Sequence, residues 1–148
     1  MEGYAHKRKF AGFGFGGIPN YLGLDQVSHC FNLNGDQDPT ITGLRNLRKE
    51  YRRAVLGVTK WGPTFYASVF KMVLEYMKVN IALPVYHILL ILTDGCVHDM
   101  RETIDLIVEC TQYPLSIIIV GIGSADFTAM ESLDSDEKLL RDGKGNEA

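Results

Sequence analysis

The run YHILLILTDG, residues 86–95, sets seven residues of almost unbroken hydrophobicity ahead of an Asp-Gly turn. A second run, LSIIIVGIG at residues 115–123, repeats the pattern. Apolarity that is continuous rather than alternating means that both faces of a strand are covered, as in inner parallel strands flanked by helices. Between the runs, Asp99 to Thr111 has helical length, and Met100, Ile104, Ile107, Val108 and Thr111 fall on one stripe. Strand, helix and strand together predict a βαβ unit with a right-handed crossover.

Outward from this centre the signals change period. Ile41, Leu44, Leu47, Tyr51, Ala54, Val55 and Val58 recur at helical spacing after Thr40, which reads as the N-cap. Arg45, Arg48, Lys49, Arg52 and Arg53 occupy the other side, a pattern open to a solvated face and to a surface for an acidic partner or anionic lipid. A further helix is predicted from Thr64 to Asn80, burying Phe65, Val69, Met72, Val73 and Tyr76 and announced by Gly-Pro-Thr at 62–64. Nearer the start, Phe10 to Phe15 reads as a Gly-rich strand. Residues 27–33, where Val27, His29, Phe31 and Leu33 alternate with small or polar residues, read as an edge strand.

At 148 residues the chain fits one domain. A net charge of −3 gives no overall footprint for nucleic acid, so none is expected as a partner. His6, Lys7, Arg8 and Lys9 are followed by no apolar h-region, and the longest hydrophobic stretch, 81–92, is short and broken by Pro84, so no leader and no membrane anchor are expected. Cys30, Cys96 and Cys110 lack zinc-binding intervals and read as reduced thiols of a cytoplasmic protein. The expected organisation is a polar segment over 1–8, the domain over 9–137 and a flexible tail over 138–148.

Gly12, Gly14 and Gly17 are spaced as GxGxxG, a dinucleotide fingerprint only where the glycines open a helix whose amides hold a pyrophosphate. Here Ile18, Pro19 and Asn20 follow, with no period of 3.6, which favours a buried strand over a nucleotide-binding enzyme.

In open α/β sheets, ligands sit beyond the carboxyl ends of the strands. The run at 86–92 ends in Thr93, Asp94 and Gly95, on the same rim as the loop carrying Thr64. A hydroxyl and a carboxylate suit a hard cation such as Mg²⁺, while Asp-Gly is equally an ordinary turn and Thr64 an ordinary helix cap. Cys96 and His98 stand near the same rim as a thiol and base, with no orienting third group.

Five blocks carry a resemblance: AGFGFGG at 11–17, VSHCFNLNGD at 27–36, WGPTFY at 61–66, LLILTDG at 89–95 and PLSIIIVGIGSADFTAM at 114–130. In this order they resemble the von Willebrand factor A-type domain of copines, over about Lys9 to Glu137. The resemblance implies a doubly wound, mostly parallel sheet with helices on both faces, Rossmann-like in layout. It also implies a metal-ion-dependent adhesion site to which Thr64 supplies a hydroxyl and Asp94 a carboxylate, with Mg²⁺ or Mn²⁺ as the ion. Against that pattern the chain lacks the first strand with its DxSxS-type loop and the last strand, and Phe65 stands where copines usually show Asn. The implied activity is non-enzymatic binding of protein partners at the carboxyl rim, the alternative being a truncated product that needs another chain to donate the missing strand. Two ligands imply weak metal binding. The family's Ca²⁺ and phospholipid binding is expected only of modules outside this chain.

Overall fold

In the computed structural model the chain divides into two compact units, Met1–Pro63 and Thr64–Ala148, and the run 86–95 lies in the second. The structure describes residues 3, 5–134 and 139–148. Expectations that fall on residues 1, 2, 4 and 135–138, the domain boundary at 137/138 included, lie outside the described residues.

The first unit holds β1 (Lys9–Ala11), β2 (Phe13–Gly14), β3 (Gly17–Pro19), β4 (Phe31–Asn32), β5 (Thr40–Thr42), α1 (Leu44–Gly57) and β6 (Val58–Lys60). Its strands pair antiparallel as β1 with β5, β2 with β4 and β3 with β6. The single strand expected from Phe10 to Phe15 is therefore two strands. At Gly12 the chain leaves one partner for another: the Gly12 amide donates to the Pro39 carbonyl at 3.1 Å, and the Gly12 carbonyl accepts from the Leu33 amide at 3.0 Å. A Cβ at Gly12 would lie 3.0 Å from Ile41 Cδ1 and 3.2 Å from Leu33 Cδ1, so the crossing point is packed as tightly as it can be.

The edge strand expected over 27–33 shrinks to β4 and one isolated bridge between Ser28 and Gly17, because the Ser28 hydroxyl turns to the Cys30 carbonyl at 3.1 Å. Thr40 is not the cap of α1. It lies in β5, where Ile41 pairs with Phe10, and Gly43 takes the N-cap position with φ 83°. Ile41, Phe31 and Ala54 are buried in this unit, and Tyr21 meets Phe31 edge to face at 6.5 Å.

The second unit contains α2 (Ala67–Val79), β7 (His87–Thr93), α3 (Met100–Cys110), β8 (Leu115–Gly121) and the one-turn α4 (Thr128–Glu131). The expected βαβ unit is present: β7 and β8 pair parallel over seven rungs, from His87 with Leu115 to Thr93 with Gly121, and α3 is the crossover. Lys71 pairs with Glu102 at 2.5 Å and Lys78 with Glu109 at 2.8 Å. Because both members advance by seven residues, α2 and α3 run in the same direction in register, as helices that each precede or follow a parallel strand must. Phe70, Leu74, Met77, Ile91, Ile107, Val108 and Cys110 are buried. Burial pushes the Cys110 thiol up to about 11, with a smaller contribution from the Glu109 carboxylate.

One face of the β7–β8 pair is covered and the other is not. Ile91 and Thr93 are buried, whereas Ile88, Leu92, Ile118, Val120 and Ile122 are exposed, Leu92 by 52% and Ile122 by 53%. At the end of β8 the ring of Phe127 closes over Gly121, where a Cβ would come within 2.7 Å of it. Residues 139–148 form a tight turn: Arg141 pairs with Glu147, and the Gly143 amide donates to the Asp105 carboxylate on α3 at 2.7 Å.

Among the described residues the architecture is mixed α/β with one parallel pair and three antiparallel pairs. The expected doubly wound, mostly parallel sheet is represented by that one pair, since the six strands of the first unit are short and join partners in antiparallel sense. No helix among the described residues is long and apolar enough to cross a membrane.

Candidate functional site: the carboxyl rim of the parallel pair

Gly17, third glycine of the GxGxxG spacing, lies inside β3, and Pro19 ends that strand before a single 3-10 turn at Asn20–Leu22. No helix of phosphate-binding length begins there, which removes the geometry a dinucleotide needs. The glycines serve close packing instead: a Cβ on Gly14 would collide with the Phe31 ring, and one on Gly17 would lie 2.5 Å from Val58 Cγ1.

The rim beyond β7 is built from Thr64–Tyr66, the loop from Thr93 to Asp99, and the segment from Ile122 to Thr128. Thr64 is held by a reciprocal pair with His98. Its amide donates to His98 Nδ1 at 3.1 Å, and the His98 amide donates to its carbonyl at 3.0 Å. Nδ1 is thus an acceptor, which leaves the imidazole proton on Nε2. Thr64 is thereby brought to the loop that opens with Asp94. Its side chain is half-buried, while Asp94, Cys96 and His98 are exposed.

Beneath the loop, the phenol of buried Tyr66 donates to Thr93 Oγ1, which also accepts from the Gly95 amide at 3.3 Å. Burial is the main cause that pushes the Tyr66 phenol up, and the bond to Thr93 works against it. Gly95 has φ 141°, and a Cβ there would lie 3.1 Å from Ala125 Cβ, so the β7 and β8 loops abut. Two hydrogen bonds from Thr128, amide and hydroxyl, hold the Asp126 carboxyl below the usual carboxylate range.

The group that organises the rim is one the sequence did not mark. Asp99 occupies the N-cap position of α3, yet its carboxylate is spent on α2: Oδ1 accepts from the Tyr66 amide at 3.0 Å and Oδ2 from the Ala67 amide at 2.8 Å. The buried Thr103 hydroxyl donates to the same Oδ1 at 3.3 Å. Two parallel helices bring their positive ends together here, and one carboxylate between them offsets the repulsion. A cap supplied from thirty residues away leaves no local signature. The only sequence cue is an Asp five residues beyond a strand's Asp-Gly turn.

Thr64 and Asp94 therefore stand on neighbouring segments of one rim, with a hydroxyl and a carboxylate as the donor set. Among the described residues, no group of three or more His, Cys, Asp or Glu side chains could hold a metal ion. The two oxygens fit a hard cation only with water filling most of its shell. Cys96 and His98 do not make a nucleophile and base pair, because His98 Nδ1 is committed to the Thr64 amide.

The copine family model matches residues 1–148. The chain is 38% identical over 141 residues to Protein BONZAI 1 of Arabidopsis thaliana and 38% identical over 144 residues to Protein BONZAI 2 of the same plant, matches that cover 93% and 94% of this chain and 24% of each relative. It is 37% identical over 140 residues to Nicotinic receptor-associated protein 1 of Caenorhabditis briggsae, covering 93% of this chain and 22% of that protein. The chain spans about a quarter of the length of the curated relatives it matches. With the family model matched over residues 1–148 and relatives 37–38% identical over more than nine-tenths of its length, the chain belongs to the copine family.

Proposed function

We propose that this chain is a non-enzymatic protein-interaction module whose binding face is the carboxyl rim of the β7–β8 pair. The observation that carries the reading is the rim's construction: exposed Asp94, Cys96 and His98 sit on a loop braced from below by Tyr66, Thr93 and Asp99. Exposed functional groups on a rigid support are the arrangement binding loops need. Copine membership and a relative named for association with a nicotinic receptor support the same class of activity.

In this reading the second unit is part of a doubly wound A-type sheet. The parallel run of α2 and α3 supports that layout, and the exposed face of Ile88, Leu92, Ile118, Val120 and Ile122 is where a further layer would lie. Thr64 and Asp94 would hold Mg²⁺ or Mn²⁺ weakly, the ion contributing positive charge toward an acidic group of the partner. In this reading the chain resides in the cytoplasm, and Ca²⁺-dependent phospholipid binding and peripheral membrane association are left to family modules outside it.

Cys96 provides the test, since Cys110 is buried and Cys30 half-buried. A photo-cross-linker attached to Cys96 should label discrete partners, and Asp94→Lys should abolish the labelling. Equal labelling by both forms overturns the rim as the binding face. Calorimetric titration with Mn²⁺ then addresses the ion separately: weak heat lost in Thr64→Ala and Asp94→Ala supports it, and identical isotherms for all three proteins remove it.

A further inference from the structure

In the second unit the uncharged residues gather on one side. Residues 64–148 hold six Lys or Arg and thirteen Asp or Glu, yet none of them lies between 79 and 93. The segment joining α2 to β7 is apolar and open to solvent, Ile81 by 70% and Tyr86 by 62%, with Leu83 and Val85 exposed between them. Tyr76 adds an exposed ring. It lies on the flank of α2 turned away from Lys71 and Lys78, and so from α3, and it meets His87 edge to face at 5.4 Å. On the other side of the layer α3 carries the charged turn over residues 139–148, bonded through Asp105. A partner selected by charge would find its contacts on the α3 side, and the β7 side offers none.

The backbone of β7 is open on that same side. The His87 amide donates to the Pro114 carbonyl and the Thr93 carbonyl accepts from the Ile122 amide, so the odd-numbered residues of β7 bond to β8. In a parallel ladder the even-numbered residues then turn their amides and carbonyls to the opposite edge, and among the described residues no strand pairs there. Natural edges are blunted by Lys, Pro or a bulge. His87–Thr93 has none of these and keeps an unbroken register over seven rungs. The edge also matches itself. Turned about a two-fold axis at Leu90, it sets Leu90 against Leu90 of a second copy, Ile88 against Leu92 and Leu89 against Ile91, so that each of these rungs joins branched aliphatic side chains.

We propose that the second unit associates with a second copy of this chain by antiparallel pairing of the two β7 edges. The exposed strip beside the edge lengthens the contact: the same register carries Tyr86 of one copy opposite Asp94 of the other, which gives each rim an aromatic neighbour from its partner. The contact is small. Seven ladder positions and their flanks supply about a dozen residues a side, roughly half of a standard interface, so a weak dimer is expected, with a dissociation constant of about 10–100 µM. Edge pairing leaves the face of Ile118, Val120 and Ile122 free for a further layer, and it stands whether or not the rim binds a partner protein.

The test is sedimentation equilibrium of the full chain in reducing buffer, which excludes a disulfide through exposed Cys96. The apparent mass should rise toward that of a dimer across the stated range. Ile88→Lys with Leu92→Lys sets like charges opposite each other on two rungs and should weaken association about tenfold or more. Ile88→Lys with Leu92→Glu sets opposite charges on the same rungs and should stay within a few-fold of the parent. Both side chains are exposed, so circular dichroism of the two variants should match the parent. Hydrogen exchange read residue by residue locates the contact: the amides of Ile88, Leu90 and Leu92 should slow as concentration rises, and those of Ile117 and Ile119 on the β8 edge should not. A chain that is monomeric well above that range overturns the proposal, as do equal association of the two variants and protection of the three amides at every concentration. A dimer that protects the β8 edge, or neither edge, overturns it as well, the latter placing the contact on the exposed sheet face.

Discussion

Replacing Asp99 by Ala tests how the rim is held. The carboxylate accepts from two main-chain amides at the start of α2 and from the buried Thr103 hydroxyl. Loss of an N-cap costs about 0.5–2 kcal/mol, and a hydrogen bond to a charged group is worth about 1.5–3 kcal/mol. The two amides lie near the helix end, where water can replace part of the loss, while Thr103 is fully buried and cannot be so compensated. A total of about 3 kcal/mol is expected, and in a chain of this size that lowers the midpoint of thermal unfolding by about 10 °C. Asp99→Asn keeps one acceptor oxygen and should lose about half as much. Urea unfolding followed by far-ultraviolet circular dichroism gives the stability change, and hydrogen exchange at the amides of residues 66–70 locates it. The reasoning is refuted if Asp99→Ala changes stability by less than about 0.5 kcal/mol, the range of an uninvolved surface substitution.

Two further outcomes follow from packing and burial. Gly17→Ala places a Cβ 2.5 Å from Val58 Cγ1 and 3.1 Å from the Thr59 carbonyl oxygen, so it should destabilise by about 1–3 kcal/mol. Adding Val58→Ala should recover part of that in a double-mutant cycle, and strict additivity would count against the contact. For Cys110, a folded thiol raised to about 11 favours the protonated form. The stability it contributes is complete below the ordinary value of 9.0 and is lost as pH rises toward about 11. Chemical denaturation across that window should show a steeper alkaline decline in the parent than in Cys110→Ala, and parallel curves would refute the assignment.

The second unit was the more legible half of the chain. The apolar runs at 86–92 and 115–121 announced a parallel pair and the stripe from Met100 to Val108 announced its crossover, while the cover on both sheet faces that those runs imply is met on one face only, Ile88, Leu92, Ile118 and Val120 being exposed. The first unit was less legible for a physical reason. Strands of two or three residues are too short to display a period, and the change of partner at Gly12 depends on amide bonds to Pro39 and Leu33 that no local pattern encodes. Thr40 reads as a cap from its neighbours alone, and only the pairing of Ile41 with Phe10 turns it into a strand residue. At the rim, Thr64 and Asp94 could be chosen from where the strand stops. The bracing role of Asp99 could not, since its partners belong to a helix distant in sequence.

The Phe127 ring over Gly121 has one more effect. Along Ile117, Ile118, Ile119 and Val120 both faces of β8 are apolar, so sliding it one residue past β7 would exchange its faces at little hydrophobic cost. Alignment must come from bookends. At one end the His87 amide donates to the Pro114 carbonyl at 2.9 Å, and at the other the Ile122 amide donates to the Thr93 carbonyl at 2.7 Å. Gly121 is the one residue of the strand that fits beneath Phe127, and a slipped β8 would offer the ring a β-branched side chain instead. A single missing methyl group thus keeps the two strands from docking out of step.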